Sequence, residues 1–181
     1  MWYKLGSKRV KSFAAIFRKG TKQMVEIVEY KKEYTEKINK MTHEILVKEY
    51  GFDNFSEGIL NSSQEEFLEE GNKLWLAIEE GEIIATMGIL KIDDKNALLK
   101  RVYAKQEYRG QGISQKMLSQ CIEYAILNLY QYIHLETYQR LERAIKFYQK
   151  NGFEEYDGEY EKEQGEEIRY TLDLKKYEAA I

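Results

Sequence analysis

The apolar positions of this chain switch repeatedly between a period of two and a period near 3.6. Residues 25–29, Val-Glu-Ile-Val-Glu, alternate and are β-branched, which predicts a strand. Ile38, Met41, Ile45 and Leu46 recur at helical spacing and predict a helix over 33–49, with Gly51 as its stop. Ser63 followed three residues later by Glu66 is a capping-box pattern and predicts a short acidic helix. Strands are predicted at 73–79 and 82–92, joined at Glu80-Gly81, and at 97–104 after a polar turn of Asp93, Asp94, Lys95 and Asn96. Ile113, Met117, Leu118, Cys121, Ile122 and Ala125 form one face of a helix over 113–129. A strand at 131–137, a helix at 140–150 and strands at 152–156 and 167–174 follow, the last with Ile168, Tyr170, Leu172 and Leu174 in alternation. The order β–α–α–β–β–β–α–β–α–β–β requires one mixed sheet with helices on both faces, an α/β (α+β) class.

Composition narrows the class. A chain of 181 residues makes one domain of ordinary size, and 13% aromatic content is not that of a disordered chain. The single cysteine, Cys121, excludes an internal disulfide, and with two histidines it leaves too few ligands for a structural zinc site. No apolar run reaches membrane-spanning length and the start lacks a signal-peptide core, so the expectation is a soluble cytoplasmic protein.

Charge is uneven. Lys4, Lys8, Arg9, Lys11, Arg18, Lys19 and Lys22 give residues 1–24 a charge of +7, leaving −10 on residues 25–181 of a chain whose net is −3. An acidic body is a poor general nucleic-acid binder. Residues 1–24 therefore read as a basic extension preceding a domain over 25–181. Val10, Phe13, Ala14 and Phe17 fall at helical spacing within it. A helix packed on the domain, a loose tail, and contact with a membrane surface, nucleic acid or partner all stay open.

Two segments carry candidate chemistry. In Arg109-Gly110-Gln111-Gly112-Ile113-Ser114, between a predicted strand and a predicted helix, two close glycines allow a sharp turn that exposes backbone N–H groups. The helix N-terminus adds partial positive charge, so the segment suits a phosphate or pyrophosphate. It is neither a Walker P-loop nor the Rossmann fingerprint. A turn with no ligand fits the isolated segment equally. The second segment, Ala144 to Phe153, ends a helix at Gly152. Its neighbouring Phe147 and Tyr148 point about 100° apart on a helix. That lets Phe147 face the core and Tyr148 a cleft, although both rings in the core is the ordinary arrangement.

Together, the segments resemble the two signatures of the GNAT superfamily, the Gcn5-related N-acetyltransferases. Arg109 and Gly112 match the family's Arg/Gln-x-x-Gly-x-Gly/Ala loop, with Ser114 in place of the final small residue. Leu99 to Ala104 is similar to the strand leading into that loop, and Tyr148 stands at the family's tyrosine. The element order agrees over residues 25–174. The resemblance implies the GNAT fold, a twisted, mostly antiparallel mixed sheet of about seven strands. It also implies that acetyl-CoA binds as co-substrate in a V-shaped opening between strands 97–104 and 131–137. Backbone groups of Arg109, Gly110, Gln111, Gly112, Ile113 and Ser114 would hold the pyrophosphate, and those of Val102, Tyr103 and Ala104 the pantetheine arm. A primary amine, of a small molecule or a protein, would attack the thioester directly through a tetrahedral intermediate. A backbone N–H near Val102 and Tyr103 would stabilise the oxyanion, and Tyr148 would protonate the departing sulfur. No metal is implied, and a homodimer is a further expectation of the resemblance.

Two departures leave the base open. Leu98 stands where relatives with a similar strand often carry glutamate, and Leu141 where many carry asparagine. His134, Glu136 and Tyr138 share one face of strand 131–137. Glu136 is the first candidate base and His134 the second; pairing of Glu136 with Arg140 is the structural alternative. Eight acids in 154–167 (Glu154, Glu155, Asp157, Glu159, Glu161, Glu163, Glu166, Glu167) suit either the steering of a cationic amine or a solvated sheet edge. Cys121 falls on an apolar helix face and reads as packing. A catalytically inactive CoA-binding regulatory or interaction protein with this fold is the alternative function.

Overall fold

The computed structural model describes residues 14–17, 24–52, 56–156 and 167–180. Eight strands form one sheet: β1 (Ala14–Phe17), β2 (Met24–Glu29), β3 (Lys73–Glu79), β4 (Glu82–Lys91), β5 (Asn96–Ala104), β6 (Tyr132–Tyr138), β7 (Glu154–Glu155) and β8 (Glu167–Asp173). Their order is β1-β2-β3-β4-β5-β6-β8-β7. Neighbours are antiparallel except β5 and β6, which are parallel. The helices are α1 (Thr35–His43), α2 (Ser56–Leu60), α3 (Ile113–Leu127), α4 (Glu142–Lys150) and α5 (Leu174–Ala180). No helix of the described residues is long and apolar enough to cross a membrane.

Alternation along the strands builds two cores. Trp75 and Ala77 of β3 turn to one face and join Ile89, Ala97, Leu99 and the buried side of α3. Leu74 and Leu76 turn to the other and meet Ile38, Met41 and Ile45 below α1. The helical stripe anticipated for α3 is the set that is buried: Ile113, Met117, Leu118, Cys121, Ile122 and Ala125. Cys121 lies in that core, and burial pushes its thiol well above the ordinary range, so it is packing.

Three local readings differ from the sequence expectation. Ala14–Phe17 is a strand, not part of a helix, and pairs antiparallel with β2 from Ala14↔Ile27 to Phe17↔Met24. The open edge of β2 supplies backbone partners that outweigh the apolar spacing in this short segment. Val10 and Phe13 lie outside the described residues. Ser63 Oγ accepts a hydrogen bond from the Glu65 N–H at 3.1 Å, but the N-cap is Gln64, its side chain caps nothing, and the element is a single 3-10 stretch, Glu65–Leu68. The strand anticipated to 174 gives way at Leu174 to α5. There Asp173 Oδ1 accepts the N–H of Lys175 at 2.9 Å and of Lys176 at 3.2 Å, an N-terminal cap. Most of the acidic run, Asp157 to Glu166, lies outside the described residues, and so does its steering of a cationic acceptor.

Candidate functional site

β5 and β6 pair over three residues only, Asn96↔Tyr132, Ala97↔Ile133 and Leu98↔His134. Beyond Leu98 the ladder stops, although β5 runs to Ala104 and β6 to Tyr138. The two parallel strands therefore diverge and leave an opening, between the strands for which the resemblance implied one. At its vertex His134 ties three strands together. Its Nδ1 lies 2.8 Å from Thr171 Oγ1 on β8, and its Nε2 lies 3.0 Å from Asn96 Oδ1 on β5. Asn96 Oδ1 can only accept, so the neutral ring donates from Nε2 and receives the threonine hydroxyl at Nδ1. Burial, and then the Arg169 charge, hold its pKa below the usual imidazole value. Both ring nitrogens thus have partners within the sheet.

β5 carries a bulge at the opening. Gly88↔Lys100 and Thr86↔Tyr103 leave one extra residue on β5, and Arg101 adopts a left-handed φ of 56°. Buried Thr86 clamps it, donating from Oγ1 to the Arg101 carbonyl at 2.7 Å. The bulge resets the alternation: Ala97 and Leu99 face the α3 core before it, Val102 and Ala104 after it. Tyr103 packs on the α1 side. The Lys105 N–H bonds to the Ile84 carbonyl at 2.9 Å. Antiparallel alternation then directs the backbone of Tyr103 to β4 as well, and that of Val102 and Ala104 into the opening. Of the three residues expected to line the cofactor arm, Val102 turns its backbone edge to the opening and Ala104 only its N–H, since the Ala104 carbonyl accepts from Arg109 Nε at 2.9 Å. Tyr103 offers its ring.

At the mouth, Gly110 and Gly112 have φ of 74° and 86°. Nothing lies within 4 Å of a Cβ built on either, so backbone conformation, not crowding, requires glycine there. Gly112 is the N-cap of α3 and no side chain caps the helix. The first-turn N–H groups of Ile113 and Ser114 therefore face outward beside the turn. Gln111 holds the turn from within, donating from Nε2 to the Glu107 carbonyl at 2.6 Å.

Arg109 points away from that cradle. Its guanidinium forms a two-pronged ion pair with Glu49, with Nη2 at 2.7 Å from Oε2, and its Nε donates to the Ala104 carbonyl at 2.9 Å. Glu49 is delivered by a π-helical turn, Glu44–Glu49, that continues α1. Arg109 thus fixes the turn to the end of β5 and to α1, and the donors left facing outward at the turn are backbone N–H groups.

Tyr148 on α4 is buried and Phe147 is half-buried against the same core, closer to the ordinary arrangement with both rings in the core than to a Tyr148 facing a cleft. Phe153 packs against Tyr148 with ring centroids 5.8 Å apart. Burial pushes the phenol well above its usual range, and the fields of Tyr103 and Tyr50 add to that, so all three rings share one region. The hydroxyl bonds to no other described residue. Glu136 pairs across the strands with Arg169, its register partner on β8, rather than with Arg140.

Sequence reasoning missed Asn39. This buried side chain donates to the carbonyls of Leu60 at 3.1 Å and Ser62 at 2.8 Å. It accepts from Ser62 Oγ at 3.0 Å and Gln64 Nε2 at 3.1 Å. It fixes the segment leading to Glu65–Leu68 onto α1. A polar residue on an otherwise apolar helical face is the signal that was available.

The acetyltransferase (GNAT) family model matches residues 36–153, and the chain belongs to this family. N-acetylaspartate synthetase of Danio rerio is 30% identical over 84 residues, 46% of this chain and 30% of that protein. N-acetyltransferase 8B of Homo sapiens is 30% identical over 88 residues, 46% of this chain and 39% of that protein. The chain thus spans about a third of the length of these curated relatives. A GNAT-family acetyltransferase from Staphylococcus aureus superposes with a TM-score of 0.72 at 25% identity, over 83% of this chain and 99% of that one. PaiA N-acetyltransferase of Thermoplasma acidophilum, solved with coenzyme A, superposes at 0.69 with 18% identity, over 82% and 98%.

Proposed function

We propose that the protein transfers the acetyl group of acetyl-CoA to a primary amine. The observation that carries this reading is the divergence of β5 and β6 beyond Leu98 and His134, with the Gly110–Gly112 turn at its mouth. The family supports it, and the names of the curated relatives point to acetyl transfer to nitrogen.

In this reading the pyrophosphate rests on backbone N–H groups of residues 110–114. The pantetheine arm pairs with the outward backbone of Val102 and the Ala104 N–H, as an added strand does. The amine nitrogen attacks the thioester carbon, and the Val102 N–H faces the developing oxyanion. The amine's proton passes through water to Glu136, whose carboxylate Arg169 holds in place. The carbon–sulfur bond then breaks, the amide forms, and Tyr148 gives its proton to the thiolate of CoA. Burial keeps the phenol protonated across the physiological range, as an acid must be before the bond breaks.

Calorimetric titration with acetyl-CoA, followed by thiol-release assays over a panel of amines, tests the proposal. One-to-one binding with amine-dependent thiol release is the expected result. Absence of binding by folded protein at millimolar ligand overturns it. Binding without turnover of any amine would move the assignment to a CoA-binding regulator.

A further inference from the structure

A cavity of about 700 Å³ opens beside the β5 bulge, lined by Lys32, Ser63, Glu66, Glu69, Lys100 and Arg101 among others. Arg101 is its distinctive wall. Its Nε is buried and has no hydrogen-bond partner. No carboxylate among the described residues pairs with its guanidinium. Its charge and a hydrogen bond both reach the Tyr103 hydroxyl, where they oppose the upward push of burial on that phenol. A guanidinium half withdrawn from water, with its Nε unpartnered and a neutral phenol as its neighbour, keeps donors for an anion, and a ligand carboxylate matches it in shape and charge.

The backbone supports the same assignment. Holding a non-glycine residue in the left-handed region is strained, and such strain concentrates at binding sites. The bulge aims the side chain, and Thr86 locks it. Arg101 directly precedes Val102, whose N–H faces the opening. An anion held by Arg101 therefore lies within a side chain's length of the reacting thioester.

The rest of the wall balances the charge. Lys32 is occupied by Glu65 at 2.8 Å, leaving Lys100 and Arg101 opposite Glu66 and Glu69. A ligand carrying one charge of each sign fits such a wall. A second carboxylate would meet the glutamates.

We propose that this cavity receives the acceptor, and that the acceptor is a zwitterionic amino acid with a neutral or basic side chain whose carboxylate is bound by Arg101. The proposal rests on the acetyltransferase reading and adds the substrate class to it.

The test compares glycine, L-methionine, L-phenylalanine and L-lysine with their carboxamides. Thiol release reports turnover, and calorimetry on CoA-saturated protein reports binding. At least one acid should exceed its carboxamide by about tenfold or more in kcat/KM, because a charged pair is lost with the carboxylate. Arg101→Asn, which tolerates the left-handed backbone, should bring acid and amide within about twofold through KM. Arg101→Lys should restore part of the preference, and acetyl-CoA affinity should hold in both variants. Should the variants not fold, the acid–amide comparison on the unaltered protein decides alone. Equal use of acids and amides, a preference surviving Arg101→Asn, or acetyl-CoA binding without uptake of any acid overturns the proposal while leaving the acetyltransferase reading in place. Failure to bind acetyl-CoA overturns both.

Discussion

Arg109 and Glu49, 60 residues apart in sequence, are joined by a two-pronged ion pair, and the same guanidinium reaches the Ala104 carbonyl at 2.9 Å. One side chain thus binds the glycine turn, the end of β5 and the π-helical end of α1 into a single corner. Both partners are largely screened from solvent, at 15% and 25% side-chain exposure. Glu49→Gln should cost about 1–2 kcal/mol of stability, read by denaturant unfolding. It should also weaken acetyl-CoA binding about threefold to tenfold, because the turn loses its anchor. An unaltered affinity in a measurably destabilised variant would separate the corner from the cofactor site.

Gly112 has room for a methyl group but not the backbone for one. Gly112→Ala should therefore act through φ, at a cost of about 1–2 kcal/mol, and the turn should relax toward negative φ. Reorienting the first N–H groups of α3 should lower acetyl-CoA affinity about tenfold, measured by calorimetry. Retained affinity would remove the backbone cradle from the pyrophosphate site.

Tyr148→Phe removes the proposed acid and keeps the ring. Turnover should fall about 100-fold or more, with acetyl-CoA affinity within about twofold. The pH dependence of stability offers a second readout. The folded phenol's pKa lies above its unfolded value near 10, so its contribution is complete below pH 10 and is lost as pH rises beyond it. Tyr148→Phe should flatten that alkaline decline, followed by thermal melting between pH 9 and 11.

His134 works in the opposite sense. Its folded pKa lies below the unfolded value of 6.5, so its contribution is present above pH 6.5 and is lost as pH falls toward the folded value. Stability should decline on mild acidification, and His134→Asn should reduce the slope while lowering stability at neutral pH. A slope unchanged by the substitution would place the acid sensitivity elsewhere.

Glu136→Gln distinguishes base from strut. As the proton acceptor, Glu136 should be worth about tenfold or more in kcat, with an altered acid limb in the pH profile. As a cross-strand partner of Arg169 alone, it would affect stability by about 0.2–1 kcal/mol and leave kcat intact.

The fold was legible wherever one residue's period dictated its face. The α3 stripe and the alternation of Ile168, Tyr170 and Leu172 appear in the structure as buried positions. The glycine turn was legible because left-handed φ needs a residue type that sequence displays. Arg101 was not, since a bulge comes from the mismatch between two strands and leaves no mark on either alone. The ion pair of Arg109 was not legible either, because its partner, Glu49, comes from a distant helical end that only the fold brings near. The edge strand at Ala14–Phe17 escaped for a related reason: the neighbour's open edge decided its conformation, not its own spacing.

A parallel pair that closes over three residues and then parts leaves an unfinished seam inside the sheet rather than at its rim. Any occupant that bonds to that seam completes the fold as well as the site. Ligand and stability are then one equilibrium: at 100 times its dissociation constant, an occupant adds about 2.7 kcal/mol to the folded state. Amide exchange at Val102 and Ala104 should slow with it, and the melting temperature of this protein would then report how much cofactor surrounds it.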